Sequence, residues 1–266
     1  MCAMDLGLGD RTFLVTGGSR GLGLATAQTL VAEGAHVVVS GRDEKVLASA
    51  IDTLGGSSGG HAVGLAADLG DSGAAERLVA GAISKFGRLD GALVSVGGPG
   101  VGGALTLADD DWRSSFETVF LGTLRVVRAV ASAMQPDPTA VSGTTGSIVL
   151  VLSSSVREPV AGLSLSNGLR PGLGMLVKDL ADELAPRGVR INALLPGRLA
   201  TDRIFAIDAR YGSPDLVRRR VEATIPLGRY GEPEEFGRVA AFMLSPAASY
   251  LTGTLLQVDG CSQRSM

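Results

Sequence analysis

The sequence predicts a doubly wound α/β fold of the Rossmann type, with helices on both faces of one parallel sheet. Two observations support this prediction. Short apolar runs rich in Val, Ile and Leu alternate along the chain with stretches of helical periodicity. The first run ends in a glycine-rich turn, which leads into a helical pattern and then a second β-branched run. This βαβ order favours parallel strands that are apolar on both faces.

The remaining elements follow in regular order. Strands are predicted at residues 12–15, 35–39, 61–66, 89–95, 147–152, 189–195 and 255–258. Helices are predicted at residues 22–32, 44–54, 72–86, 109–134, 172–185 and 233–244, with Pro136 and Pro138 in a loop. The charged segment 199–225 is interpreted as a mobile helical flap over the substrate. No linker, composition break or internal repeat divides the chain, so residues 1–266 are expected to form a single domain.

Composition excludes several classes of protein. Apolar residues make up 45% of the 266 residues, and the net charge of −3 offers no basic surface for nucleic acid. No window approaches the length of a membrane span, and no leader pattern opens the chain, so a cytoplasmic protein without a membrane partner is expected. Cys2 and Cys261 lie near opposite ends without a Cys/His cluster, which argues against a metal site or a disulfide framework.

A glycine-rich loop at residues 16–23 predicts a dinucleotide-binding site. Gly17 permits the tight turn, Gly21 lets the backbone approach a pyrophosphate, and Gly23 allows close packing of helix on sheet. The helix that follows presents free N–H groups and a partial positive charge to phosphates. A glycine pattern alone also fits a structural turn, but its place between a strand and a helix favours the nucleotide. The predicted contacts are Gly17, Ser19, Arg20, Gly21, Leu22 and Gly23.

The end of the second strand favours NADP(H). Folds that are specific for NAD place an acidic residue there to hold the ribose 2′-hydroxyl, whereas this chain has Ser40-Gly41-Arg42. Arg42 can pair with a 2′-phosphate, and Arg20 can add a second positive charge. Asp43 is the counter-argument, but it stands one residue further on and is better placed to begin the next helix. The alternative interpretation makes Arg42 a solvated surface charge.

These motifs resemble the short-chain dehydrogenase/reductase family. The family pattern Thr-Gly-x-x-x-Gly-x-Gly matches residues 16–23 at every fixed position, and Asn192 and the segment 231–260 are also similar to the family's sequences. The resemblance implies further cofactor contacts from Asp68, Leu69, Gly97, Pro196, Gly197 and Thr201. It also implies a homo-oligomer, either a dimer or a tetramer, that pairs the long helices predicted at residues 109–134 and 172–185.

The catalytic positions depart from the family's relay of Asn, Ser, Tyr and Lys. Aligning the flanking segments places Ser153 at the Ser position, Ser166 at the Tyr position, Arg170 at the Lys position and Val119 at the Asn position. A serine hydroxyl is less acidic and shorter than a phenol, so Ser166 can act only through a bridging water or by polarising a carbonyl. Arg170 can hold the nicotinamide ribose and supply positive charge, but it cannot give up a proton.

Three functions remain open. The first is an NADP(H)-dependent oxidoreductase acting on a carbonyl or secondary alcohol, with a small molecule or a 3-oxoacyl thioester as substrate, because residues 165–170 resemble a divergent branch labelled 3-oxoacyl-carrier-protein reductases. The second is a catalytically lapsed NADPH-binding sensor or structural protein. Chemistry of another type on the same fold is a third alternative. Tyr211 in the flap and Arg157 after the fifth strand are further candidates for contact with a substrate.

Overall fold

A computed structural model describes residues 5–55, 60–134 and 145–265. Seven parallel strands form one sheet in the order β3-β2-β1-β4-β5-β6-β7. The strands are β1 (Thr12–Val15), β2 (His36–Gly41), β3 (Ala62–Ala66), β4 (Gly91–Ser95), β5 (Gly146–Val151), β6 (Val189–Pro196) and β7 (Leu255–Val258). The predicted single-domain α/β fold with a Rossmann-type parallel sheet is confirmed.

Helices cover both faces of the sheet. They are α1 (Gly21–Ala32), α2 (Glu44–Gly55), α3 (Ala74–Phe86), α4 (Asp109–Ser115), α5 (Gly122–Ala133), α6 (Ser164–Leu184), α7 (Asp202–Asp208), α8 (Pro214–Glu222) and α9 (Pro233–Leu244). One apolar cluster joins the sheet to α3, α5 and α6, and a second joins its other face to α1, α2 and α9. Central strands such as β1 and β5 are buried along their whole length because both of their faces are covered.

Two helices differ from their predicted bounds by more than two residues. Helix α6 begins at Ser164, eight residues before the predicted start at 172, because Leu165, Leu169 and Leu173 form a buried stripe at helical spacing. Pro171 lies inside this helix, so tertiary packing overrides its usual role as a helix breaker. The predicted helix at 109–134 is interrupted by a π-helical turn at Phe116–Leu121, which joins α4 to α5.

Cys2 and the loop containing Pro136 and Pro138 lie outside the described residues. Within the described ranges, no helix is both long enough and apolar enough to cross a membrane.

The order of the strands places the candidate site. Strand β1 pairs with β2 on one side and with β4 on the other, so the chain reverses its direction of winding at β1. Ligands of open α/β sheets bind in the crevice that opens at such a point, beyond the carboxyl ends of the strands. The loops that follow β1, β4, β5 and β6 all leave the sheet at that edge.

Candidate active site

The glycine-rich loop is fastened to the neighbouring strand. The Thr16 hydroxyl donates to the Ser95 carbonyl at 2.9 Å and accepts from the Ser95 amide at 2.9 Å. Gly17 has a φ of 57°, and a Cβ added there would lie 2.6 Å from the Ser95 carbonyl oxygen. A Cβ on Gly23 would overlap the Gly17 carbonyl. Close backbone contact therefore requires glycine at both positions.

Helix α1 begins without a competing cap. Arg20 precedes the helix and gives no side-chain hydrogen bond to its first turn, which contains no acidic residue. The amides and partial positive charge at this end therefore remain available to a phosphate. Gly21 faces Thr201 across a cleft, because a Cβ on Gly21 would lie 3.4 Å from the Thr201 Cγ2. The loop predicted to hold the pyrophosphate thus lies close to Thr201, another predicted cofactor contact, and Leu22 is half-buried beside them.

Positive charge borders the end of β2. Ser19 lies over this strand end, since a Cβ on Gly41 would be 2.7 Å from the Ser19 hydroxyl oxygen. Arg20 and Arg42 are both exposed. Neither side chain forms a hydrogen bond or an ion pair with a residue in the described part of the chain. Both guanidinium groups can therefore turn to a phosphate.

Asp43 is already engaged by the helix that follows it. Its Oδ1 accepts from the amides of Lys45 at 3.0 Å and Val46 at 3.1 Å, so it caps the start of α2. This is the role that the sequence favoured over binding of a ribose hydroxyl. A shallow cleft of about 300 Å³, lined in part by Ser19, Lys45 and Val46, lies beside this cap.

Two of the predicted cofactor contacts, one polar and one apolar, follow β3. Asp68 is exposed, and its Oδ1 accepts from the Gly70 amide at 2.9 Å, which fixes the turn. Leu69 is buried with 9% of its surface exposed and packs into the apolar cluster shared with α3 and α5. The carboxylate thus points to solvent while its neighbour anchors the loop.

The residues after β4 and β6 line the other end of the crevice. Gly97 is exposed, and nothing lies within 4 Å of the position that its Cβ would take. Gly197 follows Pro196 and packs so closely on Asp259 that a Cβ would come within 2.6 Å of the Asp259 Cβ. Asn192 is fully buried and uses its amide on backbone groups of the segment that leads into β7. Gly97 therefore faces open space, whereas Gly197 and Asn192 hold the strands in register.

Two buried serine hydroxyls stand at the predicted proton-transfer position. Ser166, in the first turn of α6, has its Oγ 2.9 Å from the Oγ of Ser155, and both residues are buried. Ser153 instead accepts from the Ser155 amide at 3.1 Å and caps the short 3-10 helix Ser154–Val156. The sequence aligned Ser153 and Ser166 with the relay's Ser and Tyr positions. The structure pairs Ser166 with Ser155, eleven positions earlier in the chain.

Arg170 lies one turn further along α6 and is tied to the end of β5. Its Nη1 donates to the carbonyls of Val151 at 2.8 Å and Leu152 at 2.9 Å. Burial, aided by the positive charge of Arg203, lowers the pKa of Arg170 to about 10, so it stays charged at neutral pH. Its Nε and Nη2 are not enclosed, and they make no hydrogen bond to a described residue. These two nitrogens remain available to a ligand.

The predicted position of the relay's asparagine is apolar and lies in an irregular helix. Val119 is 2% exposed and sits in the π-helical turn at Phe116–Leu121. Its carbonyl accepts from the Thr123 hydroxyl at 2.7 Å. The irregular turn is therefore present without the amide side chain. Turns of this kind are rare and frequently occur at functional sites.

A buried hydrogen-bond network fastens the segment 199–225. Asp208, at the end of α7, accepts from the Tyr230 hydroxyl at 2.8 Å and pairs with Arg198 at 2.8 Å. Burial first, and then Asp208, raise the pKa of Tyr230 to about 12, so the phenol keeps its proton. The sequence does not predict this network, because Asp208 and Tyr230 lie 22 residues apart. No local pattern marks such a contact.

Two side chains of the same segment reach across the crevice. Arg203, in the first turn of α7, donates from Nη1 to the Gly98 carbonyl and from Nη2 to the Pro99 carbonyl, at 3.2 Å each. The Tyr211 hydroxyl lies 3.0 Å from the position that a Cβ on Gly162 would take. The segment 199–225 thus contacts the loops after both β4 and β5.

Comparison with known sequences decides the family. The sequence pattern of the family described as Enoyl-(Acyl carrier protein) reductase matches residues 17–261. L-rhamnose 1-dehydrogenase (NAD(P)(+)) of Azotobacter vinelandii is 34% identical over 254 residues, which cover 94% of this chain and 96% of that one. The chain belongs to the short-chain dehydrogenase/reductase family. The resemblance noted from the glycine-rich loop is therefore confirmed.

Further members agree in sequence and in fold. The 3-oxoacyl-[acyl-carrier-protein] reductase FabG of Salmonella typhimurium is 32% identical over 247 residues, covering 93% of this chain and 95% of that one. The L-sorbose reductase from Gluconobacter frateurii, solved in complex with NADPH and L-sorbose, superposes with a TM-score of 0.90. It shares 25% identity, and the match covers 99% of this chain and 100% of that one. This short-chain dehydrogenase/reductase is therefore an oxidoreductase by family.

Proposed function

We propose that this protein is an NADP(H)-dependent oxidoreductase that interconverts a ketone and a secondary alcohol in an atypical active site. One observation carries the proposal. The uncapped start of α1 follows β1, the free guanidinium group of Arg42 follows β2, and the Ser155–Ser166 hydroxyl pair follows β5, all at the carboxyl edge of the parallel sheet. A nucleotide held at one end would extend toward the polar groups at the other.

The residues present fit the cofactor. When bound, NADPH supplies the hydride. We assign its pyrophosphate to the loop of Gly17, Ser19, Arg20, Gly21, Leu22 and Gly23, and its 2′-phosphate to Arg20 and Arg42. We assign its adenine side to Asp68 and Leu69, and its nicotinamide side to Gly97, Arg170, Pro196, Gly197 and Thr201. The NADPH complex of L-sorbose reductase supports this choice of cofactor.

Hydroxyl groups and positive charge replace the proton donor. In the Ser155–Ser166 pair, one hydroxyl hydrogen makes the mutual hydrogen bond and the other can donate to a carbonyl oxygen. Ser153 caps the turn that holds Ser155 in place. Arg170 adds positive charge close to the oxygen on which negative charge develops. Serine does not ionise near neutral pH, so water supplies the proton that the product alcohol keeps.

The proposal extends to the substrate cover and to assembly. The segment 199–225 covers a small-molecule substrate or an acyl thioester, which its contacts with the loops after β4 and β5 support. Residues 1–266 act as one catalytic unit. A homo-oligomer, as a dimer or a tetramer, is supported by the exposed Phe116 and Met175 beside α4 and on α6, which are 42% and 73% exposed.

A second function remains for the same nucleotide site. Ser166, Arg170 and Val119 stand where the family's Tyr, Lys and Asn are expected, so the usual relay of protons is lost. Losing a positioned acid costs on the order of 10²–10⁴ in rate. A catalytically lapsed NADPH-binding sensor or structural protein is the alternative that this loss favours.

Titration and turnover separate the two functions. NADPH fluorescence is followed as purified protein is added, and NADPH oxidation is then measured with a panel of ketones and acyl thioesters. Saturable binding with turnover supports the oxidoreductase. Saturable binding without turnover across the panel supports the lapsed form, and a titration that shows no saturable signal refutes both.

A further inference from the structure

Two arginines approach the same part of the crevice from different elements. Arg203 reaches from α7 to the backbone carbonyls of Gly98 and Pro99, at 3.2 Å each. Arg170 reaches from α6 to the end of β5. They are close enough that the charge of Arg203 contributes to the lowered pKa of Arg170. Two positive charges therefore lie near each other at the carboxyl ends of β4 and β5.

Neither guanidinium has an acidic partner. Among residues 5–55, 60–134 and 145–265, Arg170 and Arg203 form no ion pair, although Arg11, Arg125 and Arg198 each pair with a carboxylate. Arg170 is buried, and burial lowers its pKa, so its charge has lost hydration, whereas Arg203 is exposed at the surface. Desolvating a charge without a counter-charge is unfavourable, so an anion that enters the crevice is stabilised there.

Backbone carbonyls are weak partners for Arg203. Its two bonds of 3.2 Å are long for a charged donor, since such bonds to carboxylates are usually about 2.7–2.9 Å. A Cβ at position 98 would overlap the guanidinium, so the glycine there leaves room for it in the crevice. Arg203 thus lies at the mouth of the site with both Nη atoms held only loosely.

We propose that the substrate is a carbonyl compound that also carries a carboxylate, and that Arg203 binds this carboxylate. A planar guanidinium matches a carboxylate through two parallel hydrogen bonds, which also fix the orientation of the substrate. Arg170 stays tied to β5 and keeps its charge near the carbonyl oxygen. This assignment rests on the oxidoreductase function proposed above and names its substrate class.

The reaction is the reduction of a keto acid to a hydroxy acid. The carbonyl carbon receives a hydride, with its two electrons, from C4 of the nicotinamide, and the C=O π bond breaks. The oxygen takes one proton from water. The products are the hydroxy acid and NADP⁺, and the carboxylate is unchanged. The reverse direction oxidises a hydroxy acid and reduces NADP⁺.

Matched ligands test the proposal by binding and by turnover. The probes are pyruvate, acetoacetate, levulinate and longer keto acids, each beside its methyl ester, together with neutral sugars such as L-sorbose. Calorimetry of the NADP⁺-loaded protein measures affinity without turnover, and steady-state kinetics with NADPH give KM and kcat. At least one keto acid is expected to bind about tenfold or more tightly than its ester. Equal affinity for every acid and its ester, or a preference for the neutral sugars, overturns the proposal.

Variants show whether Arg203 is the group that binds. Arg203→Gln is expected to remove the preference for acid over ester by raising the KM of the acid tenfold or more, with the KM of the ester unchanged within about twofold. Arg203→Lys should retain part of the preference. The control Arg220→Gln removes the same charge from an exposed position on α8, and this variant should retain the full preference for acid over ester. A preference that survives in Arg203→Gln overturns the assignment.

The failure of this assignment is distinct from failure of the oxidoreductase function. The NADPH dissociation constant is measured for each variant. If Arg203→Gln weakens the binding of NADPH as strongly as it weakens the binding of the keto acid, Arg203 contacts the cofactor. The proposal is then overturned, while the oxidoreductase function stands. If the wild-type protein reduces only uncharged ketones, the same conclusion holds. If it binds no NADPH, the function itself fails.

Discussion

The hydroxyl oxygen of Ser166 lies 2.9 Å from that of Ser155 in the interior of the protein. Four positions along the same helix, Arg170 bonds to two carbonyls at the end of β5. A pair of hydroxyls and, one helical turn further along, a positive charge thus occupy the positions that the sequence predicts for the relay's Tyr and Lys. The arrangement can stabilise an oxyanion by hydrogen bonding and charge, but its own groups do not readily give up a proton.

Removing the hydroxyl of Ser166 should slow turnover without weakening the binding of the cofactor. Ser166→Ala deletes a hydrogen-bond partner of Ser155 and is expected to lower kcat on the order of 10²-fold, which is typical for loss of one oxyanion donor. NADPH affinity should stay within about twofold. Ser154→Ala is the control, because Ser154 is adjacent in sequence but outside the hydroxyl pair. An unchanged kcat in Ser166→Ala would show that the pair takes no part in the chemistry.

Reversing the charge at the end of β2 should change the choice of cofactor. Arg42→Asp replaces a free guanidinium by a carboxylate that repels the 2′-phosphate and can accept from a ribose hydroxyl. The NADPH dissociation constant is expected to rise tenfold or more, whereas that of NADH stays equal or falls. Lys85→Asp makes the same charge change on α3, and its effect on the ratio of the two constants should be small. Fluorescence titration measures both, and an unchanged ratio in Arg42→Asp would contradict the assignment.

The Tyr230–Asp208 hydrogen bond should give the protein a marked loss of stability in alkali. Because the pKa of Tyr230 is raised from 10.0 to about 12, its contribution is complete below pH 10 and is lost as the pH rises through about 12. Tyr230→Phe leaves a buried Asp208 oxygen without its donor, so it should cost about 1–3 kcal/mol near neutral pH. The variant should also lose less stability than the wild type between pH 10 and 12.

Thermal unfolding over that pH range checks both expectations. Tyr250→Phe is the control, because Tyr250 is fully exposed and its loss should alter neither the stability nor its pH dependence. Parallel pH profiles for the wild type and Tyr230→Phe would show that the Tyr230 hydroxyl is not coupled to folding.

The sequence predicts those elements best whose signals are local. The bounds of β1, β7 and α9 agree residue for residue, since apolar runs or a proline at the helix start mark them. The start of α6 was predicted too late in the chain, because Gly168 and Pro171 favour a turn by local propensity. Burial of the neighbouring leucines stabilises the helix there instead.

The sequence did not predict two features of the site, the Ser155–Ser166 pair and the contact of Arg203 with Gly98, because each is a contact between residues that are distant along the chain. Ser155 meets Ser166, whereas Ser153 caps the short 3-10 helix that contains Ser155, and no spacing in the sequence marks which of these hydroxyls turns toward α6. Arg203 was recognised only as a charge in the segment 199–225. Its contact with Gly98 spans 105 positions, and no periodicity or spacing encodes a contact of that length.

Two glycine substitutions should separate folding from cofactor binding. Gly17→Ala puts a Cβ 2.6 Å from the Ser95 carbonyl oxygen at a positive φ, so it should destabilise the fold by about 1–3 kcal/mol and abolish saturable NADPH binding. Gly97→Ala meets no atom within 4 Å, so its stability should equal that of the wild type. Titration measures the NADPH affinity of Gly97→Ala, and a chemical unfolding curve measures its stability. A lower affinity at unchanged stability then indicates that Gly97 contacts the cofactor. If Gly17→Ala folds and binds NADPH as the wild type does, the loop does not need its tight turn and the pyrophosphate assignment falls.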